Sequence, residues 1–204
     1  MTSLGDLLAR WRSWAGTADK GDDGWEAIFP DWGALIDATL DVMRSSSPDN
    51  LDVIKTVDAV WQLDHEDEIL LDTVADDRTS FQNWTIALAR SESAIVRWQI
   101  YEVLGRWGIE LDRLREAAKS DPDSYARRRA VFAIARTRIW EAAPFAEDPE
   151  EYIRLGVLRS LSEWFVRYLK KCATEESPWV RDAAVKTLGQ LAEINSEIQK
   201  HGRK

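Results

Sequence analysis

Apolar residues near the end of the chain recur at helical spacing. In PWVRDAAVKTLG, counting Arg181 as position zero, they fall at Trp179 (−2), Ala184 (+3), Val185 (+4) and Leu188 (+7), one face of an α-helix. The same pattern lies in IVRWQIYEVLG (Ile95 to Gly105), YARRRAVFAIA (Tyr125 to Ala135) and YIRLGVLRSLS (Tyr152 to Ser162). All four copies hold an arginine at zero: Arg97, Arg127, Arg154 and Arg181. They hold Tyr101, Val131, Leu158 and Val185 at +4, and Leu104, Ile134, Leu161 and Leu188 at +7. Position +8 is always small: Gly105, Ala135, Ser162 and Gly189. The arginines stand 30, 27 and 27 residues apart, within the range of stacked supersecondary units.

Each copy therefore predicts a helix, and shorter amphipathic segments lie between them: Ile109 to Lys119, roughly Arg138 to Ala146, and Trp164 to Ala173. The expected unit is a helix pair. Small residues at +8 let the next helix approach closely, and Gly108 suits a left-handed terminator after Trp107. Asp121 before Pro122, Asp148 before Pro149 and Ser177 before Pro178 read as helix starts, because proline at the first helical position gives up an N–H that lacks a partner anyway. The template arginines are expected to be structural, bonding a carboxylate or carbonyl of a neighbour.

The copies resemble HEAT-like repeats of the short bacterial type, over about Phe81 to Ala192. The resemblance implies an all-α fold, a right-handed α-α superhelix (solenoid) of stacked helix pairs. One solenoid domain is expected over 1–204: degenerate repeats or a cap over 1–78, four pairs over 79–192, and a polar tail over 193–204. In the first part Ser3 can cap a helix carrying Leu4, Leu7, Leu8, Trp11 and Trp14, and Asp31 can cap another with Leu35, Ile36, Leu40 and Met43. Two further helices are expected, with Leu51, Ile54, Val57 and Trp61, then Ile69, Leu70 and Val74.

Charge divides the chain. Residues 1–100 hold 8 Lys/Arg against 19 Asp/Glu, a net of −11, and residues 101–204 hold 19 against 17, a net of +2, giving −9 in all. An acidic half opposes phosphate backbones and favours a basic partner. Nothing in the opening MTSLGDLLARWRSW forms an apolar signal core and no long apolar run exists, so a cytoplasmic location is expected, with no membrane and no nucleic-acid partner. Oligomeric state is not encoded. The lone Cys172 forms no internal disulfide.

No phosphate loop, zinc CxxC pair or nucleophile elbow occurs, so no catalytic residue, cofactor or metal is expected. HEAT-repeat hydroxylases, similar in architecture, carry several His–Glu pairs; this chain has only His65–Glu66, within LDHEDEILLD, and its other histidine is His201. That segment reads as an acidic helix start. HEAT-like DNA glycosylases use tryptophans and an aspartate in a basic groove, and bilin lyases are built of similar repeats. An enzyme of either kind, acting on nucleic acid or a small ligand, stays open as the alternative.

The expected role is a non-enzymatic protein-binding module, most concretely a bacterial immunity protein that neutralises a basic toxin such as a nuclease. Small size, acidity and the missing catalytic motifs motivate it. The expected contacts are Trp98, Glu102, Arg128 and Phe132, which point away from the apolar stripe, together with Asp64, Glu66, Asp67 and Glu68. Trp98 and Phe132 are either exposed anchors or buried by the curl of the array.

Overall fold

The computed structural model describes residues 2–18, 25–174 and 176–201, with side chains described as far as 193. Among them every regular element is helical. The chain divides into two compact units, Met1–Arg138 and Ile139–Lys204.

In the first unit α1 (Leu4–Ala15) starts where Ser3 accepts the Asp6 amide at 3.2 Å. A 3-10 turn at Trp25–Ile28 brings Trp25 to 5.7 Å from Trp14 and 5.9 Å from Trp11. α2 (Trp32–Ser45) follows Asp31, which holds the expected cap position but turns its carboxylate to Arg10. α3 (Leu51–Leu63) is capped by Asn50, and α4 (Ile69–Asp76) leads into α5 (Arg78–Leu88), capped by Asp77. The two most regular copies form α6 (Ala94–Trp107) and α8 (Ser124–Thr137), with α7 (Leu111–Ser120) between them. Gly108, at φ 65°, ends α6 in the left-handed conformation expected of it.

α6 is the centre of this unit, packing against α3, α4, α5 and α8. Every residue from Trp98 to Gly105 is buried. A helix covered on all sides has no free polar face, so its polar residues are paired inside: Gln99 Nε2 donates to the Trp61 carbonyl at 2.9 Å. Tryptophans supply similar ties, Trp84 Nε1 to Ser46 O at 3.0 Å and Trp107 Nε1 to Ala75 O at 2.7 Å.

Three of the four template arginines bond neighbouring carbonyls as the sequence suggests. Arg97, Arg127 and Arg154 each send Nη1 to the carbonyl six residues earlier, Ser91, Asp121 and Asp148, at 3.0, 3.2 and 2.7 Å. Arg97 also grips Asp121 in a two-pronged contact, Nε to Oδ2 and Nη2 to Oδ1, both 2.8 Å. The helix starts need one correction. Asp121 and Asp148 are not the N-caps of the following helices; each accepts an amide two residues on, from Asp123 at 2.9 Å and Glu150 at 2.8 Å, so the prolines lie inside a turn. α8 is capped by Asp123.

In the second unit a short helix, α9 (Ile139–Ala142), and a 3-10 turn (Ala143–Glu147) precede α10 (Glu151–Cys172) and α11 (Pro178–His201). The expected break between Ser162 and Trp164 is absent: α10 runs unbroken for 22 residues, since neither glycine nor proline stands there, whereas Gly108 divides α6 from α7. α11 continues through His201 into the segment expected as a tail, and residues 202–204 lie outside the described part. Leu169, Cys172 and Ala184 form one buried cluster of this unit, with Ala173, Leu188 and Leu191 packed on it, and Ala142, Ile153 and Val157 are fully buried as well. Trp164 stacks on Tyr168 at 5.2 Å. The template faces are less covered here: Leu158 and Val185 are exposed, and Trp179 is 88% exposed, where Tyr101 and Val131 are buried.

Position +8 behaves differently at its two glycines. A Cβ on Gly105 would lie 2.5 Å from Ala133 Cβ and 2.7 Å from its Cα, whereas one on Gly189 would meet nothing within 4 Å. Gly105→Ala is therefore expected to destabilise by about 1–3 kcal/mol through overpacking of α6 on α8. Gly189→Ala is expected to stabilise by about 0.5–1 kcal/mol through helix propensity. Urea denaturation of the two variants against the parent reads both; equal effects would show that α6 and α8 are not in this close register.

Candidate functional site

The eight expected contact residues fall in two places in the first unit. Trp98 and Glu102 lie one turn apart on α6, and Arg128 and Phe132 one turn apart on α8. Asp64, Glu66, Asp67 and Glu68 lie between α3 and α4.

On the α6–α8 face, where exposure and burial of Trp98 and Phe132 were both open, the structure covers Trp98. Trp98 is 7% exposed, edge-on to Tyr125 at 5.4 Å, and the Arg129 guanidinium lies over its ring at 4.8 Å. Phe132 is half-buried. Glu102 is 3% exposed and meets three arginines: Arg136, Arg106 at 3.4 Å and Arg129 at 3.9 Å. It works inside the fold, because a carboxylate this deep requires cations beside it. Arg106 reaches on to Asp72 at 2.8 Å. Arg128 lies over the Tyr125 ring at 4.5 Å, and Arg129 Nη2 donates to the Tyr125 hydroxyl at 2.7 Å. The residues that define this face, Arg106, Arg129 and Arg136, were legible as template positions +9, +2 and +9, while Tyr125, at −2, reads as core.

The acidic loop also divides. Glu66 and Asp67 are exposed, and Glu68 takes a left-handed φ of 53° at the start of α4. His65 Nε2 pairs with Glu66 at 3.1 Å, and its Nδ1 lies 3.1 Å from the Gln62 carbonyl. Asp64 is fully buried and accepts the Leu70 amide at 2.6 Å. The acidic helix start is thus realised by Asp64, and it is not a surface contact. Among the described residues no three His, Cys, Asp or Glu side chains gather to hold a metal.

A cleft that sequence reasoning missed, about 300 Å³, lies between α1 and α2, lined by Thr2, Leu7, Arg10, Asp31, Ala34, Asp37, Ala38 and Asp41. Asp37 and Asp41 are exposed, one turn apart on α2. Their i, i+4 spacing was the available signal. In the second unit Trp140, Leu161, Ser162, Trp164 and Phe165 line an open, largely apolar concavity of about 330 Å³.

The HEAT repeat family model matches residues 165–194, the C-terminal part of α10 and most of α11. No curated protein matches the chain. Helices alone in the described residues, together with this match, agree with the α-solenoid class expected from the sequence. A HEAT repeat is at its coarsest a protein-interaction unit. No helix of the described residues is long and apolar enough to cross a membrane.

Burial pushes the Asp64 carboxyl up to about 7; the Leu70 and Ile69 amides oppose this, and Asp67 and Glu68 add to it. Its folded value exceeds its unfolded one, so its contribution to stability is complete below about pH 4, declines as pH rises, and is lost above about 7. Asp64→Asn is expected to remove that decline. Urea midpoints at about pH 5 and about pH 8 measure it; an unchanged difference between parent and variant would show that Asp64 does not titrate in this window.

Proposed function

We propose that this chain is a non-enzymatic protein-binding module whose first unit engages a basic protein, most concretely as an immunity protein that sequesters a cationic toxin such as a nuclease in the cytoplasm. The observation that carries this reading is the display of carboxylates: Glu66 and Asp67 on the α3–α4 loop, and Asp37 and Asp41 at the α1–α2 cleft. Residues 1–138 hold 17 Lys/Arg against 25 Asp/Glu, a net of −8, and such a field draws in a cationic partner and repels phosphate. The match to a HEAT repeat supports an interaction role.

The expected contacts follow the corrected geometry. Exposed carboxylates steer encounter, while Asp64 and Glu102 are structural and take no part in it. Neutralising Glu66, Asp67, Asp37 and Asp41 together is expected to slow association with the basic partner by about tenfold and to flatten its salt dependence, leaving dissociation nearly unchanged. Surface plasmon resonance against the product of the neighbouring gene, at low and physiological salt, reads this. Rescue of cells expressing that product tests the neutralising role. If the folded chain binds no basic protein, or if the four substitutions leave association unchanged, the reading fails.

A further inference from the structure

The outward side of α11 carries a stripe that the packing of the second unit leaves bare. Ala184 is buried with Leu169 and Cys172, and Leu188 and Leu191 pack on the same cluster. On the opposite side of the helix Trp179, Asp182, Lys186 and Gly189 follow one another at intervals of three, four and three residues, and all four are exposed, Trp179 by 88%. Val185, also exposed, borders them. Alternation of three and four is the spacing with which one helix lies along another. Residues 139–204 hold 10 Lys/Arg against 11 Asp/Glu, a net of −1, so two such units meet without strong like-charge repulsion.

The stripe is complementary to itself. Trp179 and Gly189 lie five residues to either side of Ala184, and Asp182 and Lys186 two residues to either side. When two copies of α11 run antiparallel across a two-fold axis at the level of Ala184, on the face away from it, Trp179 stands opposite Gly189 of the second copy and Asp182 opposite Lys186, each pair occurring twice. Trp179 projects, and a Cβ on Gly189 would meet nothing within 4 Å, so bare backbone with open space above it receives the indole. Asp182 and Lys186 supply two reciprocal ion pairs. A parallel arrangement would set like charge against like, which fixes the direction.

We propose that α11 pairs with α11 of a second copy of this chain, antiparallel about a two-fold axis, each Trp179 seated on the other copy's Gly189 and each Asp182 bonded to the other copy's Lys186. An unrelated partner would have to bring a matching array, whereas a second copy carries it by symmetry. The layers from Trp179 to Gly189 span about 15 Å of helix. A contact one helix wide is smaller than a permanent interface, so the dimer is weak and forms as concentration rises. The carboxylates proposed above for a basic partner lie in the first unit, and neither surface depends on the other.

The test is sedimentation velocity of the full chain from about 5 µM to about 500 µM, at about 150 mM salt. The parent is expected to pass from monomer toward dimer across that range. Asp182→Lys and Lys186→Asp each place like charges across the axis, and each is expected to weaken the dimer by about tenfold. Mixing the two variants is expected to restore association to at least the parent's strength, as a dimer with one copy of each, because every opposed pair is then of unlike sign. Trp179→Ala is expected to weaken the dimer by about tenfold or more. Circular dichroism verifies the fold of each variant, and Trp179→Ala, a change at an exposed side chain, decides the matter if a charge variant unfolds. A parent that stays monomeric at the highest concentration, a dimer that Trp179→Ala leaves at parental strength, or a mixture of folded charge variants that associates no better than its components would each overturn the proposal.

Discussion

Asp121 is where the repeat pattern becomes a packed structure. Its carboxylate accepts both prongs of Arg97, the Tyr101 hydroxyl at 2.9 Å and the Asp123 amide, and its carbonyl accepts Arg127. Arg97 and Tyr101 are the zero and +4 residues of one copy; Arg127 is the zero residue of the next. A single aspartate in the turn therefore sets the spacing between successive units. Burial works against its charge, but Arg97, the Asp123 amide and Tyr101 outweigh that cost, and its carboxyl is held below the usual carboxylate range. Tyr101 is pushed well above its ordinary value by burial and by the charge beside it, so its hydroxyl stays a donor.

Gly105 continues the same constraint one turn further along α6. With the start of α8 fixed by Asp121, the two helices run so close that Ala133 occupies the space a side chain on Gly105 would need. The small residue at +8 is required where a helix is pressed against it. At Gly189 no such neighbour lies within reach, and the residue carries the pattern without the contact.

This difference explains what was legible in the sequence. Helical spacing depends only on the chain itself, so α6, α8 and the arginine register were readable, as were Ser3 as a cap and Gly108 as a stop. Coverage depends on what packs against a face. Tyr101 and Leu158 hold the same template position, yet one is buried and the other exposed. Trp98 and Glu102, with Gln99 between them, point away from the apolar stripe by helical spacing, which left the burial of Trp98 open. They are buried because α6 has neighbours on every side, and the polar groups are bonded to the Trp61 carbonyl and to arginines of α6 and α8. Asp64 failed as a surface residue for a related reason: a run of acids looks uniformly solvated, but the one at the helix boundary is drawn in to meet the amides of α4.

The placement of charge in the first unit follows from this logic rather than from composition. Glu66 and Asp67 remain in solvent while Asp64, two and three residues before them, is drawn inside by the Leu70 amide. The arginines gather on α6 and α8 because Glu102 lies buried between these helices and must have cations near it. Arg136 and Arg106 reach Glu102 with side chains that stay 47% and 36% exposed, and Arg129 is held against Trp98 and Tyr125. One buried acid thus gathers arginines onto one face of a mostly acidic chain, and where each charge lies follows from what packs beside it, which net charge alone does not tell.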